Sequence, residues 1–278
     1  MMKKYYIVLL LLSVMMGFSS CTLESAETVD PTQGPYLAYA DLKSDFLEPA
    51  VFVMKEALLA DQYASADGQG RNEMASEVFY DYHIAVLNGS VKMDNLRTKE
   101  SDIAYQMENG QSLLEVGARW VRTSKSYYSP KRICLECMAE NTWKLVLYQG
   151  QGEELSRYGE MILRAVSTDV ALLEPSGPWG QQFEVLEISG STIQTGSHSF
   201  YDGTQHYPDR QTVEMEFEIA EPFGVYFDGT SGTYFDGGLH LVCRSSAMKD
   251  VDFTATFGTW TDKNVCIRWL ENEKVWRQ

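Results

Sequence analysis

Two hydrophobic periods divide this chain. Within 36–66, Val51, Met54, Leu58 and Leu59 recur at helical spacing on one stripe, while Lys55, Glu56 and Asp61 fall elsewhere. Ser44-Asp45 is a start signal, Pro49 suits a first turn and 50–63 holds no Gly, so a packing helix is predicted there. Asp67-Gly68-Gln69-Gly70 breaks the chain, and beyond it the period falls to two. Tyr80, Tyr82, Ile84 and Val86 alternate with Asp81, His83 and Ala85, as a strand or, on the other reading, a helix; Asn88-Gly89 follows as a hairpin turn.

Further strands are predicted at 113–121, 143–148 and 161–166. At 213–219, Val213, Met215, Phe217 and Ile219 alternate strictly with Glu214, Glu216 and Glu218. More follow at 224–227, 234–243, 251–257 and 265–269. Short strands separated by Gly-rich turns predict a mainly β fold, a sandwich or a twisted antiparallel sheet with an N-terminal helix; the alternative is α+β. No long helical pattern recurs, which disfavours a doubly wound α/β fold. Glu174-Pro175-Ser176-Gly177-Pro178 is a possible subdivision of a β-rich body spanning 36–278.

The composition agrees with a folded body. Of 278 residues, 44% are hydrophobic and 12% aromatic, too many for a disordered chain. The formal net charge of −16 argues against nucleic acid as a partner, because phosphate backbones need clustered Lys and Arg. It also disfavours attraction to an anionic membrane surface.

Hydrophobic attachment is another matter. Lys3-Lys4 precedes a run from Tyr5 to Phe18 with no charge, centred on Ile7-Val8-Leu9-Leu10-Leu11-Leu12. As a helix that run would rise about 21 Å, short of a hydrocarbon core of roughly 30 Å, so it reads as a signal-peptide core within residues 1–20. Ser19-Ser20-Cys21 directly behind it resembles the lipobox of bacterial lipoproteins. The resemblance implies cleavage before Cys21, a diacylglycerol thioether on its sulfur and usually a further acyl chain, palmitate or similar, on the new amine. Two or three chains anchor stably, at about 0.8 kcal/mol per buried CH₂. Residues 22–35 carry no positive charge, hold two Pro and a Gly, and read as a tether. Glu24 and Glu27 are similar to the acidic export signals of Bacteroidetes surface lipoproteins. The expected location is therefore the outer membrane, at the cell surface, with the periplasmic face as the alternative.

The chemistry-bearing residues are sparse. Cys134-Leu135-Glu136-Cys137 is a CxxC, but a four-thiolate zinc site would want a second close pair, and Cys243 and Cys266 are far apart in sequence. In an oxidising envelope disulfides are the leading reading of these four thiols and buried free thiols the second; spacing does not fix the pairing, and Cys243–Cys266 is the favoured pair. Glu214, Glu216 and Glu218 share a strand face but miss the Glu-x-Asp-x-x-Glu pattern of laminarinase-like glycosidases, so a solvated sheet face is expected. The histidines His83, His198, His206 and His240 form no metal motif, and no metal or cofactor is expected. Phe200-Tyr201-Asp202-Gly203, Tyr226-Phe227-Asp228-Gly229 and Tyr234-Phe235-Asp236-Gly237 are read as turns.

Of the six Trp, only Trp179, between Pro178 and Gly180, is expected in a loop; Trp120, Trp143, Trp260, Trp269 and Trp276 default to the core. Trp179 could stack on a sugar ring, with Gln181 and Gln182 bonding its hydroxyls. These readings lead to a lipid-anchored envelope module, non-catalytic, binding glycan or a surface protein or acting structurally. An anchored hydrolase of polysaccharide or peptide is the first alternative, and a pilus or surface-assembly subunit the second.

Overall fold

The helical period and the alternation behind it become two layers, a helix and a single sheet that curls around it. The structure is a computed structural model that describes residues 30–77, 82–87, 90–95, 101–125, 131–151, 154–166, 171–172, 180–196, 211–228, 231–245, 250–259 and 262–278. Thr32–Gln278 is one compact unit. The possible boundary at 174–178 lies outside the described residues.

The helix is longer than predicted. It comprises α1 (Gln33–Leu42), a π-helical turn (Lys43–Leu47) and α2 (Glu48–Ser65), helical without a break because Lys43 and Glu48 both keep helical backbone angles. Pro49 lacks the amide of an ordinary helical turn and crowds the turn before it, and the wider π turn lies there. The helix ends at Ser65 and the chain breaks at Ala66-Asp67, but Gly68-Gln69-Gly70 of the expected break are themselves helical, opening α3 (Gly68–Glu77). The Asp67 side chain starts it by accepting the Gly70 amide at 2.8 Å.

The one-stripe picture of the helix is corrected by the structure. Lys55, Glu56 and Asp61 are buried along with Val51, Met54, Ala57, Leu58 and Leu59, so α2 is covered on every side. A helix hidden all round belongs to the interior, and its walls here are strands. Core residues come from Val91 near the start of the sheet to Ile267 near its end.

The sheet is antiparallel throughout: β1 (Tyr82–Leu87), β2 (Ser90–Asn95), β3 (Ser101–Asn109), β4 (Arg119–Lys125), β5 (Lys131–Ala139), β6 (Thr142–Gln151), β7 (Glu154–Ala165), β8 (Ala171–Leu172), β9 (Gly180–Gly196), β10 (Gln211–Glu221), β11 (Phe223–Asp228), β12 (Ser231–Phe235), β13 (Gly237–Ser245), β14 (Val251–Phe257), β15 (Asn264–Trp269) and β16 (Asn272–Arg277). Its path runs β1 to β7, then β9, β10, β13, β14, β15, β16. The expected mainly β fold with an N-terminal helix is the one found, and the sixteen strands among the described residues are joined by pairing into one antiparallel sheet. The 17-residue β9 is the junction, with β8 and β11 on its first part and β7 and β10 on its second. Gly190 permits this crossing, because a methyl there would stand 2.2 Å from the Glu160 carbonyl oxygen of β7.

Alternation matches the pleat where it was clearest. Met215 and Phe217 are buried in β10 while Glu214, Glu216 and Glu218 face solvent. The expected strand 234–243 is divided between β12 and β13 by Asp236 and Gly237, both at positive φ (54° and 127°), which the Asp-Gly pair suits. The expected strand 113–121 is real only from Arg119; 112–118 is a loop. Among the described residues no helix is long and apolar enough to cross a membrane.

Candidate functional site

Cys21 and Trp179 lie outside the described residues, as do Trp260, His198 and His206. Gln181 and Gln182 are on β9, opposite Phe227 and Tyr226 of β11 on one side and Leu172 and Ala171 of β8 on the other. Trp143 and Trp120 are buried, and Trp269 and Trp276 pack against the core.

The expected Cys243–Cys266 disulfide is not present; both are free thiols. Cys243 on β13 is paired with Val251 of the intervening β14, and Cys266 on β15 with Thr256. Those positions are five residues apart along β14, about 17 Å at strand rise, and Val251 is buried where Thr256 is exposed. A bridge needs Cα atoms within about 7 Å and side chains on a common side. Burial, with Asp41 and Asp250 adding to it, pushes the Cys243 thiol up to about 12, so it is no thiolate at neutral pH. Cys134 and Cys137 are also free, on β5; Cys137 is opposite the core residue Trp143 and Cys134 opposite Val146, so they occupy opposite faces.

Two polar constellations are assembled by the fold. The outer one crosses β10, β13 and β14. His240, in register with Glu218, has Nδ1 at 3.3 Å from Glu218 Oε1 and Nε2 at 2.7 Å from Asp252 Oδ1. Carboxylates only accept, so this geometry needs a proton on both ring nitrogens. The hydrogen bond to Asp252, then that to Glu218, holds the imidazole above its ordinary value against partial burial. Beside it Arg244 Nη1 lies 2.9 Å from Glu216 Oε2. These are cross-strand ion pairs on an exposed sheet face, where water and salt screen the charges and little stability comes from each.

The inner constellation escaped the pattern analysis. Tyr105 of β3 and Arg122 of β4 are directly opposite in register, and both reach Glu56 of α2. Glu56 Oε2 accepts the Tyr105 hydroxyl and, at 3.2 Å, Arg122 Nε, which is also 3.2 Å from the Tyr105 hydroxyl oxygen. Both charged side chains are under 5% exposed. Burial first, then the Glu56 charge, raises the Tyr105 phenol well above its usual range, so it stays a donor. Glu56 Oε1 and Trp120 Nε1, both buried, have no hydrogen-bond partner among the described residues. The signal for this site was the unbroken apolar company of Glu56, in Ala57-Leu58-Leu59-Ala60; a face that apolar beside a charge implies a charge inside. A closed ion pair of this kind fixes how the helix sits on β3 and β4, and offers no route for a substrate.

Among the described residues no three His, Cys, Asp or Glu side chains are grouped so as to hold a metal ion. No family model, curated protein or solved structure matches this chain.

Proposed function

We propose that this chain is a lipid-anchored lipoprotein of the bacterial outer membrane whose β-rich body is a non-catalytic binding or structural module. The observation that carries the anchor is Cys21 directly behind Ser19-Ser20 and the uncharged run that follows Lys3-Lys4. From Cys21 to Thr32, where the body begins, the contour is about 40 Å at most. What supports a non-catalytic role is the disposition of the acidic side chains: Glu56 is sealed inside, and Glu216 and Glu218 are matched to cations on an open face.

The ligand proposed for the module is a glycan or a surface protein, with Trp179, Gln181 and Gln182 as the glycan contacts. Metabolic labelling with palmitate is the test of the anchor. Cys21→Ser should abolish label and detergent-dependent partitioning, and undiminished label would sink it. For the ligand, a glycan array with the wild type and Trp179→Ala decides: binding lost in a variant of unchanged Tm supports stacking, and no binding by the wild type retires the glycan.

A further inference from the structure

We propose that the end of the body formed by 110–118, 138–141 and 165–166 is a docking surface for a protein segment that presents apolar side chains among Lys and Arg. Only its orientation rests on the anchored-module reading.

The surface is built around one inward leucine. Leu113 is fully buried; its amide donates to Asp61 Oδ1 at 3.1 Å and its carbonyl accepts Trp143 Nε1 at 3.2 Å. The Ser112 hydroxyl donates to Asp61 Oδ2 at 2.7 Å, and the Leu114 amide donates back to that hydroxyl at 3.2 Å. Further on, the Gly117 amide donates to the Cys137 carbonyl at 2.8 Å and the Cys137 amide to the Ala118 carbonyl at 3.0 Å. With Leu113 pinned in the core and both flanks bonded, the residues between are turned out: Leu114 is 47% exposed and Val116 72%. The bonds to Cys137 set Met138, 48% exposed, beside them, and the Ala165 amide on the Asn141 carbonyl brings Val166, 46% exposed, to the same end.

Four large apolar side chains are thus exposed at one end of the sheet, on three connections that these backbone bonds bring together. Single exposed apolar residues need no explanation, but a group held on a pinned loop is a different matter. Because the loop is already ordered, a partner would meet these residues without the entropy loss of freezing them.

Charge selects the occupant. Within the three segments the only ionisable side chains are Glu115 and Glu140. The nearest cations on the adjoining strands, Arg119 and Arg164, are paired with Glu108 and Glu187. An apolar centre with an acidic rim repels a second copy of itself and an anionic bilayer alike, and it complements a cationic amphipathic segment. Position agrees. The unbroken helix has Tyr36 against Trp276 at its start and Asp61 against Ser112 and Leu113 near its end. At 1.5 Å per residue, Gln33 to Ser65 spans about 50 Å. The surface is thus at the far end of the helix from Thr32, where the tether joins.

The experiment is methyl NMR on the full chain, labelled at Leu, Val and Met, in zwitterionic nanodiscs. It is titrated with an 18-residue amphipathic peptide of Leu and Lys and, separately, with its Leu and Glu counterpart. The expected result is shifts at Leu114, Val116, Met138 and Val166 with the Lys peptide, none with the Glu peptide, and at least ten-fold weaker binding in Val116→Asp and Met138→Asp. Both sites are exposed, so Tm should hold; Leu114→Ser with Met138→Ser replaces any variant that melts early. The proposal is overturned by shifts centred on the Glu214–Glu218 face, by equal binding of both peptides, or by affinity indifferent to the substitutions. Self-association or vesicle partition lost in the same variants would assign the surface to a second copy or to lipid and overturn it too. Palmitate labelling is read in parallel. Label without peptide shifts refutes the docking surface alone, and shifts without label refute the anchor alone.

Discussion

Tyr36 and Trp276 stack with ring centroids 4.4 Å apart and planes 9° from parallel, joining the first turn of α1 to the last strand. The contact is reinforced on both sides: the Tyr36 hydroxyl donates to the Arg277 carbonyl at 2.9 Å, and Trp276 Nε1 donates to Thr32 Oγ1 at 3.1 Å. Lys274 Nζ covers the indole at 4.1 Å from its centre. β16 ends the sheet's path and pairs with β15 on one side, so the clasp ties its last residues to the start of the helix.

The clasp predicts a measurable coupling. Tyr36→Ala and Trp276→Ala should each destabilise, and a double-mutant cycle in urea should return about 0.5–1.5 kcal/mol between them, the usual range for an aromatic pair. Additive effects would mean the rings contribute burial only.

The inner ion pair predicts a steeper penalty. Removing either side chain, Glu56→Ala or Arg122→Ala, takes away the buried partner of a buried charge and should cost about 3–5 kcal/mol by chemical denaturation. Tyr105→Phe removes one donor from Glu56 and should cost about 1–3 kcal/mol. Equal, small losses in all three would place the cluster in contact with solvent.

On β10, neighbouring positions should differ sharply. Phe217, 4% exposed, should lose about 3–5 kcal/mol as Phe217→Ala, and Glu216→Gln should stay within about 0.5 kcal/mol. A glycosidase-type activity abolished by Glu216→Gln at unchanged Tm would reassign the face to catalysis.

Stability should fall with rising pH in two separate windows. Burial, then the like charge of Asp45, raises the Asp41 carboxyl to about 6 against the opposing pull of Arg157. The folded state therefore binds this proton more tightly than the unfolded chain, whose value is near 3.9. Stability from this group is greatest below about pH 4, declines up to about pH 6 and is flat above. His240, held above its ordinary value, contributes stability below about pH 6.5 that is lost as pH rises through its folded value, and its partial exposure keeps the amount small. Asp41→Asn should flatten the lower window and raise stability at neutral pH, whereas His240→Gln should alter only the upper one. Tm measured from pH 4 to 9 checks both, and an unchanged lower slope in Asp41→Asn would refute the burial argument.

Legibility followed how local each cause was. β14 and β10 were visible because one face of a strand meets the core and the other meets water, so period two is written into Val251–Phe257 and Val213–Ile219. The start of the helix was not. Its signals at Ser44-Asp45 and Pro49 mark the π turn, where the backbone changes pitch without ending. Leu113 to Ala118 looked like a strand because one leucine of that run is needed in the core, and composition cannot distinguish a single inward residue on a loop from a buried strand. The Cys243–Cys266 pairing looked plausible because sequence carries strand membership but not the five-residue offset along β14 that separates them.

By itself, the sequence determined the mainly β character, the helix ahead of it, and the outward Glu and inward Met and Phe of β10. Each of these depends on spacing within a dozen residues, where the geometry of a helix or strand turns order directly into direction. Tertiary structure alone decided that the helix would be enclosed rather than laid on a surface. Lys55, Glu56 and Asp61 sit on faces that a one-sided helix gives to water. They are buried because the sheet continues around them, and Arg122 with Tyr105, and Ser112 with the Leu113 amide, arrive from distant strands and loops to replace that water. Whether a charge can stand inside depends on what meets it there, and that is settled by strands far away in the chain.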